Sequence, residues 1–185
     1  LTFGRRHVAP VVADLLAEHP ALEIDLRLSD ARTDIVADGF DIALRIAHLP
    51  DSSLRARRLG AIPMHLVAAP AYLARRGTPR HPNTLGEHAC LGYANVPASQ
   101  GWAFRGPDGA EVVVRPAGPL RTDSGDAMIP ALCAGLGIAR LPGFIVEDSI
   151  ESGKLVPILT EWTSWPPIAL HLMTPPSSLR PARVE

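Results

Sequence analysis

The chain has 185 residues, a formal charge of −1, 46% hydrophobic residues and 20% charged residues, values that are typical of a globular protein. No uninterrupted apolar run approaches the roughly 20 residues that span a bilayer, so we expect a soluble protein without a membrane segment. A net charge near zero argues against general binding of nucleic acid, although Arg55, Arg57 and Arg58 form a local basic cluster. The length predicts one domain made of two lobes.

Neither the two cysteines nor the seven histidines have the spacing of a metal site. Cys90 and Cys133 lie in different predicted elements, so we expect free buried thiols in a reducing compartment. No hydrolase, phosphate-binding or dinucleotide motif is present. The sequence therefore predicts no metal, no cofactor and no catalytic residue.

Helices and strands alternate in the first part of the chain. Apolar residues at helical spacing predict an amphipathic helix over 4–18, and strict alternation predicts a strand over 22–28. A short helix over 33–38, ended by Gly39, and a strand over 40–46 follow. This order is typical of a parallel sheet.

The rest of the chain is rich in short strands. Apolar runs and turn signals predict strands at 54–59, 64–69, 90–94, 102–104, 111–115, 155–159 and 168–173. Short helices are predicted at 71–73, after Asn83 as a cap, and at 144–152. Together these elements predict an α/β protein.

The stretch 122–142 reads as a capped helix, a glycine turn and a short strand. Asp123 or Ser124 is predicted to cap the helix, and the free amides of its first turn would then face a ligand in a crevice. Pro130 is predicted to remove one helical hydrogen bond and to bend the helix. Gly135 ends the helix, and a covered strand follows at 138–141.

Two arginines stand alone in apolar strands and each needs a partner. Arg45 either pairs with a carboxylate such as Asp41 or Asp30, or it contributes a charge to a binding cleft. Arg140 poses the same question, and a structural ion pair is the favoured interpretation there.

Several stretches in succession carry a resemblance to a known family. The chain resembles the effector-binding domain of LysR-type transcriptional regulators over almost its whole length, through LTFGRRHVAPVVADLLAEHPALEIDLRLSD, VADGFDIALRIAHLPDSSLRARRLG, LVAAPAYLARRGTPRHPNTL, CLGY and GLGIARLP. The resemblance implies a type 2 periplasmic-binding-protein-like fold, with two Rossmann-like lobes joined by two crossing strands. Lobe I would comprise residues 1–67 and 167–185, lobe II residues 68–166, and the hinge strands 66–69 and 168–174.

The resemblance also implies where a small molecule binds. It places six residues at the cleft between the lobes: Thr2, Ser29, Arg45, Tyr93, Asp123 and Ser124. Arg140 departs from the family, which usually has an apolar residue there, so it would reshape the pocket or find an acidic partner. With the first-turn amides of the helix opened by Asp123 and Ser124 as donors and Arg45 adding the charge, we expect a small anionic effector, most simply a carboxylate.

The function implied by the resemblance is that of a cytoplasmic sensor module rather than an enzyme. Similar proteins bind DNA through an N-terminal winged helix-turn-helix domain, and we expect that domain and a first sheet strand to precede Leu1 in the full protein. A homodimer or tetramer is expected, in which the helix at 8–16 and the strand at 23–28 pack antiparallel on the second lobe of the partner. The alternative is a solute-binding protein of a transporter, and an enzyme of the same fold, such as a porphyrin-precursor deaminase or a prephenate dehydratase, ranks third.

Overall fold

The structure is a computed structural model that describes residues 1–31, 34–48, 55–96 and 98–175. Its helices are a π-helical turn Gly4–Val8, α1 Ala9–Glu18, α2 Pro70–Arg76, 3₁₀ helices Pro82–Glu87 and Ala98–Gln100, α3 Met128–Cys133 and α4 Gly143–Glu151. Its strands are β1 Ala43–Ala47, β2 Arg55–Ala61, β3 Met64–Ala68, β4 Cys90–Tyr93, β5 Trp102–Arg105, β6 Glu111–Val114, β7 Arg121–Thr122, β8 Ile138–Pro142, β9 Val156–Ile158, β10 Thr163–Ser164 and β11 Ala169–Thr174.

The strands form three sheets in two lobes. The first lobe contains a three-stranded antiparallel sheet in the order β1–β11–β2. The second lobe contains a five-stranded sheet in the order β7–β4–β8–β3–β9 and a small sheet in the order β10–β5–β6. Strand β4 runs parallel to β7 and to β8, whereas β3 is antiparallel to both of its neighbours. The prediction of a parallel sheet is therefore wrong for the described strands of the first lobe and only partly right for the second.

The chain passes between the lobes twice, and the two passages touch. The amide of Ile62 donates to the carbonyl of Ile168 over 3.1 Å, directly beyond the pairing of Ala61 with Ala169. On the second-lobe side, the amide of Gly143 donates to the carbonyl of Pro63 over 2.9 Å. Strand β3 lies wholly in the five-stranded sheet of the second lobe. We therefore propose that the chain first crosses between the lobes at Ile62 and Pro63 rather than at residue 67.

The core lies on both faces of the five-stranded sheet. Alternating residues of β3 point to opposite sides, so Leu66 and Ala68 pack against the small sheet and α2, while Val67 packs against α3 and α4. The largest fully buried side chains of the two clusters are Phe104, Leu85, Leu91, Met128, Leu132, Ile138, Leu141, Leu155, Val67 and Val146. The second lobe is therefore the rigid part on which loops can be positioned.

The first lobe buries much less of its apolar surface. Helix α1 has no buried residue, and Val11 is 62% exposed. The segment 22–28, predicted as a strand, is extended but pairs with no strand of the described residues, and Leu22, Ile24 and Leu26 are exposed. Alternation predicts a pleated segment but not a neighbour, and without ladder hydrogen bonds no strand forms.

Helix α3 begins later than the sequence predicts. Its N-cap is Ala127, which makes no side-chain cap, so the prediction that Asp123 or Ser124 caps it is wrong. Pro130 lies in the first turn, where an amide has no helical partner in any case. Pro130 therefore removes no helical hydrogen bond, and the predicted bend after the first turn has no cause.

The end of α3 follows the prediction. Gly135 has φ +70°, its amide donates to Leu132 O over 2.8 Å, and the amide of Leu136 donates to Ala131 O over 3.1 Å. These two bonds make a Schellman motif, which needs glycine at its left-handed position. Residue 137 must also be glycine, because an added Cβ would lie 2.6 Å from the carbonyl oxygen of Ala89.

Most of the other predicted elements are confirmed within one or two residues. Two are not. Residues 34–39 form turns rather than a helix, with the amides of Val36 and Ala37 bonded to the carboxylate of Asp34, while Thr33 lies outside the described residues. The 3₁₀ helix Pro82–Glu87 is capped by His81, whose Nδ1 accepts from the amide of Asn83 over 3.2 Å, so the predicted cap by Asn83 is also wrong.

Candidate functional site

Two parallel strands deliver polar loops to the same edge of the second lobe. Tyr93 of β4 pairs with Thr122 of β7, so the residues that follow both strands emerge side by side. The amide of Ala94 donates to Thr122 O over 2.7 Å, and the amide of Ser124 donates to Thr122 Oγ1 over 3.2 Å. This geometry brings together the predicted residues Tyr93, Asp123 and Ser124.

Asn95 joins this edge to the first lobe. Its Nδ2 donates to the carbonyl of Asp30 over 3.1 Å and to the carbonyl of Asp123 over 3.5 Å. The sequence did not single out Asn95. The available signal was its position, since a short amide side chain two residues after a strand that ends at a predicted ligand edge can reach across a cleft.

Thr2 reaches the same region from the N-terminal end of the first helix. Its side chain is buried, with 4% exposure, and its hydroxyl donates to the carboxylate of Asp126. Arg5 lies 3.7 Å from the same carboxylate. Asp126 is therefore the second-lobe partner of two first-lobe side chains.

Tyr93 occupies the centre of this arrangement. Burial raises the pKa of its phenol, and the nearby carboxylates of Asp30 and Asp123 raise it further. A phenol with a raised pKa stays protonated at neutral pH, so it can donate a hydrogen bond to a ligand. The hydroxyl of Tyr93 is therefore a neutral, polar group facing both lobes.

The region is acidic rather than basic. Asp30, Asp123 and Asp126 contribute three carboxylates, whereas Arg5 is the arginine paired there. A negative ligand would meet repulsion here unless it binds beside Arg5.

Ser29 and Arg45 stand apart from these contacts. Ser29 is exposed, and its hydroxyl accepts a hydrogen bond from the amide of Ala31 over 3.1 Å, which closes its own loop. Arg45 lies in β1 opposite His171 of β11, which in turn lies opposite Arg58 of β2. Arg45 has an interaction partner in the structure. Its role at the cleft stays a prediction, as does that of Ser29.

Within the part of the chain that the structure describes, Arg140 does not form the ion pair predicted for it. It points from β8 toward the small sheet, where its Nη1 donates to Ala103 O over 3.4 Å and its guanidinium lies 5.7 Å from the ring of Trp102. No ion pair with an acidic side chain is found for it among the described residues. Burial lowers the pKa of Arg140 to about 10. It is a packing residue of the second lobe.

Cys90 and Cys133 are both free, and burial raises the pKa of the Cys90 thiol to about 12.

Within the described ranges, no group of three or more His, Cys, Asp or Glu side chains could hold a metal ion. No helix in the described part of the chain is both long and apolar enough to cross a membrane.

An open groove of about 310 Å³ lies elsewhere on the second lobe. It is lined by Pro79, Arg80, Leu159, Thr160, Glu161 and Trp162. His81 packs edge-on against Trp162, with ring centroids 4.7 Å apart. None of the predicted site residues lines this groove. A variant in the groove is therefore a control for a ligand that binds between the lobes.

Comparisons with known proteins cover the whole chain. A family model described as LysR substrate binding domain matches residues 1–185. The chain is similar to an uncharacterized HTH-type transcriptional regulator of Haemophilus influenzae, with 33% identity over 98% of this chain and 62% of that protein. It is also similar to the HTH-type transcriptional activator AaeR of Escherichia coli, with 34% identity over 100% of this chain and 59% of that protein. The chain thus spans about six-tenths of the length of these relatives.

Solved structures agree with the family model. The full-length Vibrio cholerae virulence activator AphB, a member of the LTTR protein family, aligns with 98% of this chain and 61% of its own, with TM-score 0.82 and 27% identity. The regulatory domain of CrgA, a LysR-type transcriptional regulator from Neisseria meningitidis, aligns with 100% of this chain and 89% of its own, with TM-score 0.79 and 29% identity.

Proposed function

Because the chain belongs to the family of LysR substrate binding domains, we propose that it is the ligand-sensing regulatory domain of a LysR-type bacterial transcription factor. A small effector binds between the lobes and changes their closure, and this change reaches an N-terminal DNA-binding domain elsewhere in the full protein. The match of the family model over residues 1–185 is the observation that carries this proposal.

The site of the effector rests on the residues that meet from both lobes. Thr2 reaches across from the first lobe to Asp126, while Tyr93, Asp123 and Ser124 line the edge of the second sheet. Ligands of open α/β sheets bind at such strand ends. We therefore keep Thr2, Tyr93, Asp123 and Ser124 as effector-binding candidates and add Asn95. Ser29 and Arg45 stay candidates on the resemblance alone.

The charge of the effector is a separate proposal. The sequence predicts a carboxylate, and one of its two supports, the amides of a helix capped at Asp123 or Ser124, is lost because α3 begins at Met128. The three aspartates around the cleft also oppose an anion, so a carboxylate needs a cation, either Arg5 beside Asp126 or the predicted Arg45. A carboxylate that binds here should therefore depend on one of these two arginines.

The relatives reported above are transcription regulators, and they do not support the transporter alternative. The same relatives favour a protein without catalytic activity. We propose a cytoplasmic location, because a transcription factor must reach DNA, and we propose that DNA is contacted only through the N-terminal domain.

A ligand screen tests the proposal. We expect a library of small carboxylates, amides and amines to contain a compound that raises the melting temperature, because a ligand that binds only the folded state at 100 times its Kd adds about 2.7 kcal/mol. The stabilisation should fall in Tyr93→Phe and persist in Thr160→Ala, whose residue lines the open groove. Loss of stabilisation in Thr160→Ala alone would place the ligand in the groove and contradict the proposed site.

A further inference from the structure

A second set of contacts joins the first helix to the second lobe, and no ligand takes part in it. Arg6, in the π-helical turn Gly4–Val8, donates through Nη1 to the carbonyl of Phe144 over 2.6 Å. Its Nη2 contacts the carboxylate of Asp148. Phe144 and Asp148 both belong to α4, which packs on the five-stranded sheet.

Aromatic rings support the same contact. The rings of Phe3 and Phe144 meet edge to face, with centroids 5.3 Å apart and an interplanar angle of 73°. His7 adds a ring 4.9 Å from Phe3 and 6.3 Å from Phe144. These distances and angles are those of favourable aromatic pairs. Arg6, Phe3 and His7 thus present one face of the first helix to the start of α4.

The first helix moves with the first lobe because it packs against the segment that leads to β1. A Cβ added at Gly4 would clash with the side chain of Leu28, so the Leu28 side chain packs directly against the helix backbone there. Opening of the cleft would therefore break the contacts of Arg6 and Phe3 with α4. The contacts are moderate in strength, since Asp148 is 69% exposed and an exposed ion pair contributes little.

We propose that Arg6, Phe3, His7, Phe144 and Asp148 form a latch that holds the two lobes closed in the absence of effector. A weak latch suits a switch, because a ligand can shift an equilibrium only by its differential affinity for the two states. The proposal depends on the two-lobed fold and goes beyond effector recognition.

The test measures the distance between the lobes without any ligand. Spin labels are placed at the exposed positions Glu18→Cys in α1 and Glu151→Cys in α4, in a Cys133→Ser background that leaves only the buried Cys90. Arg6→Ala should raise the population of the longer distance about five- to tenfold relative to the parent, and Asp148→Asn should raise it less, because the bond to the Phe144 carbonyl remains.

Arg115→Ala is the matched control. Like Arg6, Arg115 donates to a carbonyl, that of Ser99 over 3.3 Å, but both Arg115 and Ser99 belong to the second lobe. Its distance distribution should equal that of the parent. The latch is contradicted if folded Arg6→Ala and Asp148→Asn both keep the parent distribution, or if Arg115→Ala changes the distribution as much as Arg6→Ala does.

Discussion

Burial decides the chemistry of Cys90. Its thiol packs in the second-lobe core with Sγ 3.7 Å from Leu85 O, and burial raises its pKa from 9.0 to about 12. Between these values the unfolded chain loses a proton that the folded chain keeps, so this residue's contribution to stability is complete below pH 9 and is lost as the pH rises toward 12. Cys90→Ala should therefore flatten the fall of the free energy of unfolding between pH 9 and 11, as measured by urea titration.

Two observations would contradict this account of Cys90. One is an unchanged pH dependence in Cys90→Ala. The other is rapid alkylation of Cys90 by iodoacetamide in the folded protein at pH 8, since a buried thiol with a raised pKa has almost no thiolate there.

Variants of Arg140 test whether its side chain stabilises the second lobe through packing or through its charge. The aliphatic stem and the guanidinium pack near Trp102, and the charge is desolvated, which lowers the pKa of Arg140 to about 10. We expect Arg140→Met to keep the free energy of unfolding within about 1 kcal/mol of the parent, because packing is retained and a desolvated charge is removed. Arg140→Ala should lose about 2 kcal/mol.

Denaturant unfolding at pH 7 compares the two variants of Arg140. Equal losses in Arg140→Met and Arg140→Ala would mean that the charge itself, through Ala103 O, is what stabilises the site.

The sequence shows which charged residues lie in apolar strands and therefore need a polar partner. It does not show which group each of them contacts. A lone arginine in an apolar strand implies a polar contact, and Arg140 finds a carbonyl and an aromatic ring on a strand 37 residues away in the sequence. Such a contact depends on how two sheets stack. That arrangement is set by the whole core rather than by the residues near Arg140.

Helix α3 contains a proline near its start and a fully buried leucine shortly after it. Pro130 lies in its first turn, whereas Leu132 is fully buried one half-turn later. Pro130→Ala should therefore change the free energy of unfolding by less than about 1 kcal/mol, because no helical hydrogen bond is gained. Leu132→Ala should lower it by about 2–5 kcal/mol through the cavity it leaves. Urea midpoints of both variants check the expectation, and a Pro130→Ala gain as large as about 3 kcal/mol would indicate a strained helix.

The sequence predicts whether a segment is a helix or a strand better than it predicts where the element begins or ends and which element it pairs with. Glycine at residue 135 is a sufficient signal for the end of α3, because a left-handed residue is required there. The start of α3 was not predictable, because Asp123, Ser124 and Asp126 are all good caps. In the structure the Asp126 carboxylate accepts from Thr2, and the loop at Asp123 and Ser124 is held by backbone contacts with Asn95 and Thr122. The segment 22–28 has the pattern of a strand, and the pattern does not specify a neighbour.

For the whole molecule, the exposed apolar surface of the first lobe is the basis of the predicted homodimer. Val11 and Leu15 of α1 are exposed together with Leu22, Ile24 and Leu26, and an apolar patch of this kind is typical of an interface. We expect the chain to sediment as a dimer at tens of micromolar, and Val11→Glu to shift it toward the monomer.

Val113→Glu provides the control for the dimer prediction. Val113 is 58% exposed, close to the 62% of Val11, but it lies in the small sheet of the second lobe. Its sedimentation should match that of the parent. A parent that sediments as a monomer at this concentration would contradict the prediction.

The fold as a whole could be predicted because many weak motifs occur in the right order. The predicted type 2 periplasmic-binding-protein-like fold is confirmed by the alignment with the regulatory domains of AphB and CrgA. The contacts of the candidate site were harder to predict from the sequence than the fold. The pairing of Tyr93 with Thr122 follows from two parallel strands, but the links through Asn95 and Asp126 join residues up to 124 positions apart in the sequence.

Hydrogen exchange with and without a ligand from the screen tests the central claim most directly. A ligand bound between the lobes should slow exchange of backbone amides at residues 1–5 and 29–31 in the first lobe and at residues 93–95 and 123–126 in the second, because both sides become ordered by the same molecule. Protection confined to one lobe, or centred on residues 159–162 of the open groove, would contradict an effector site in the cleft.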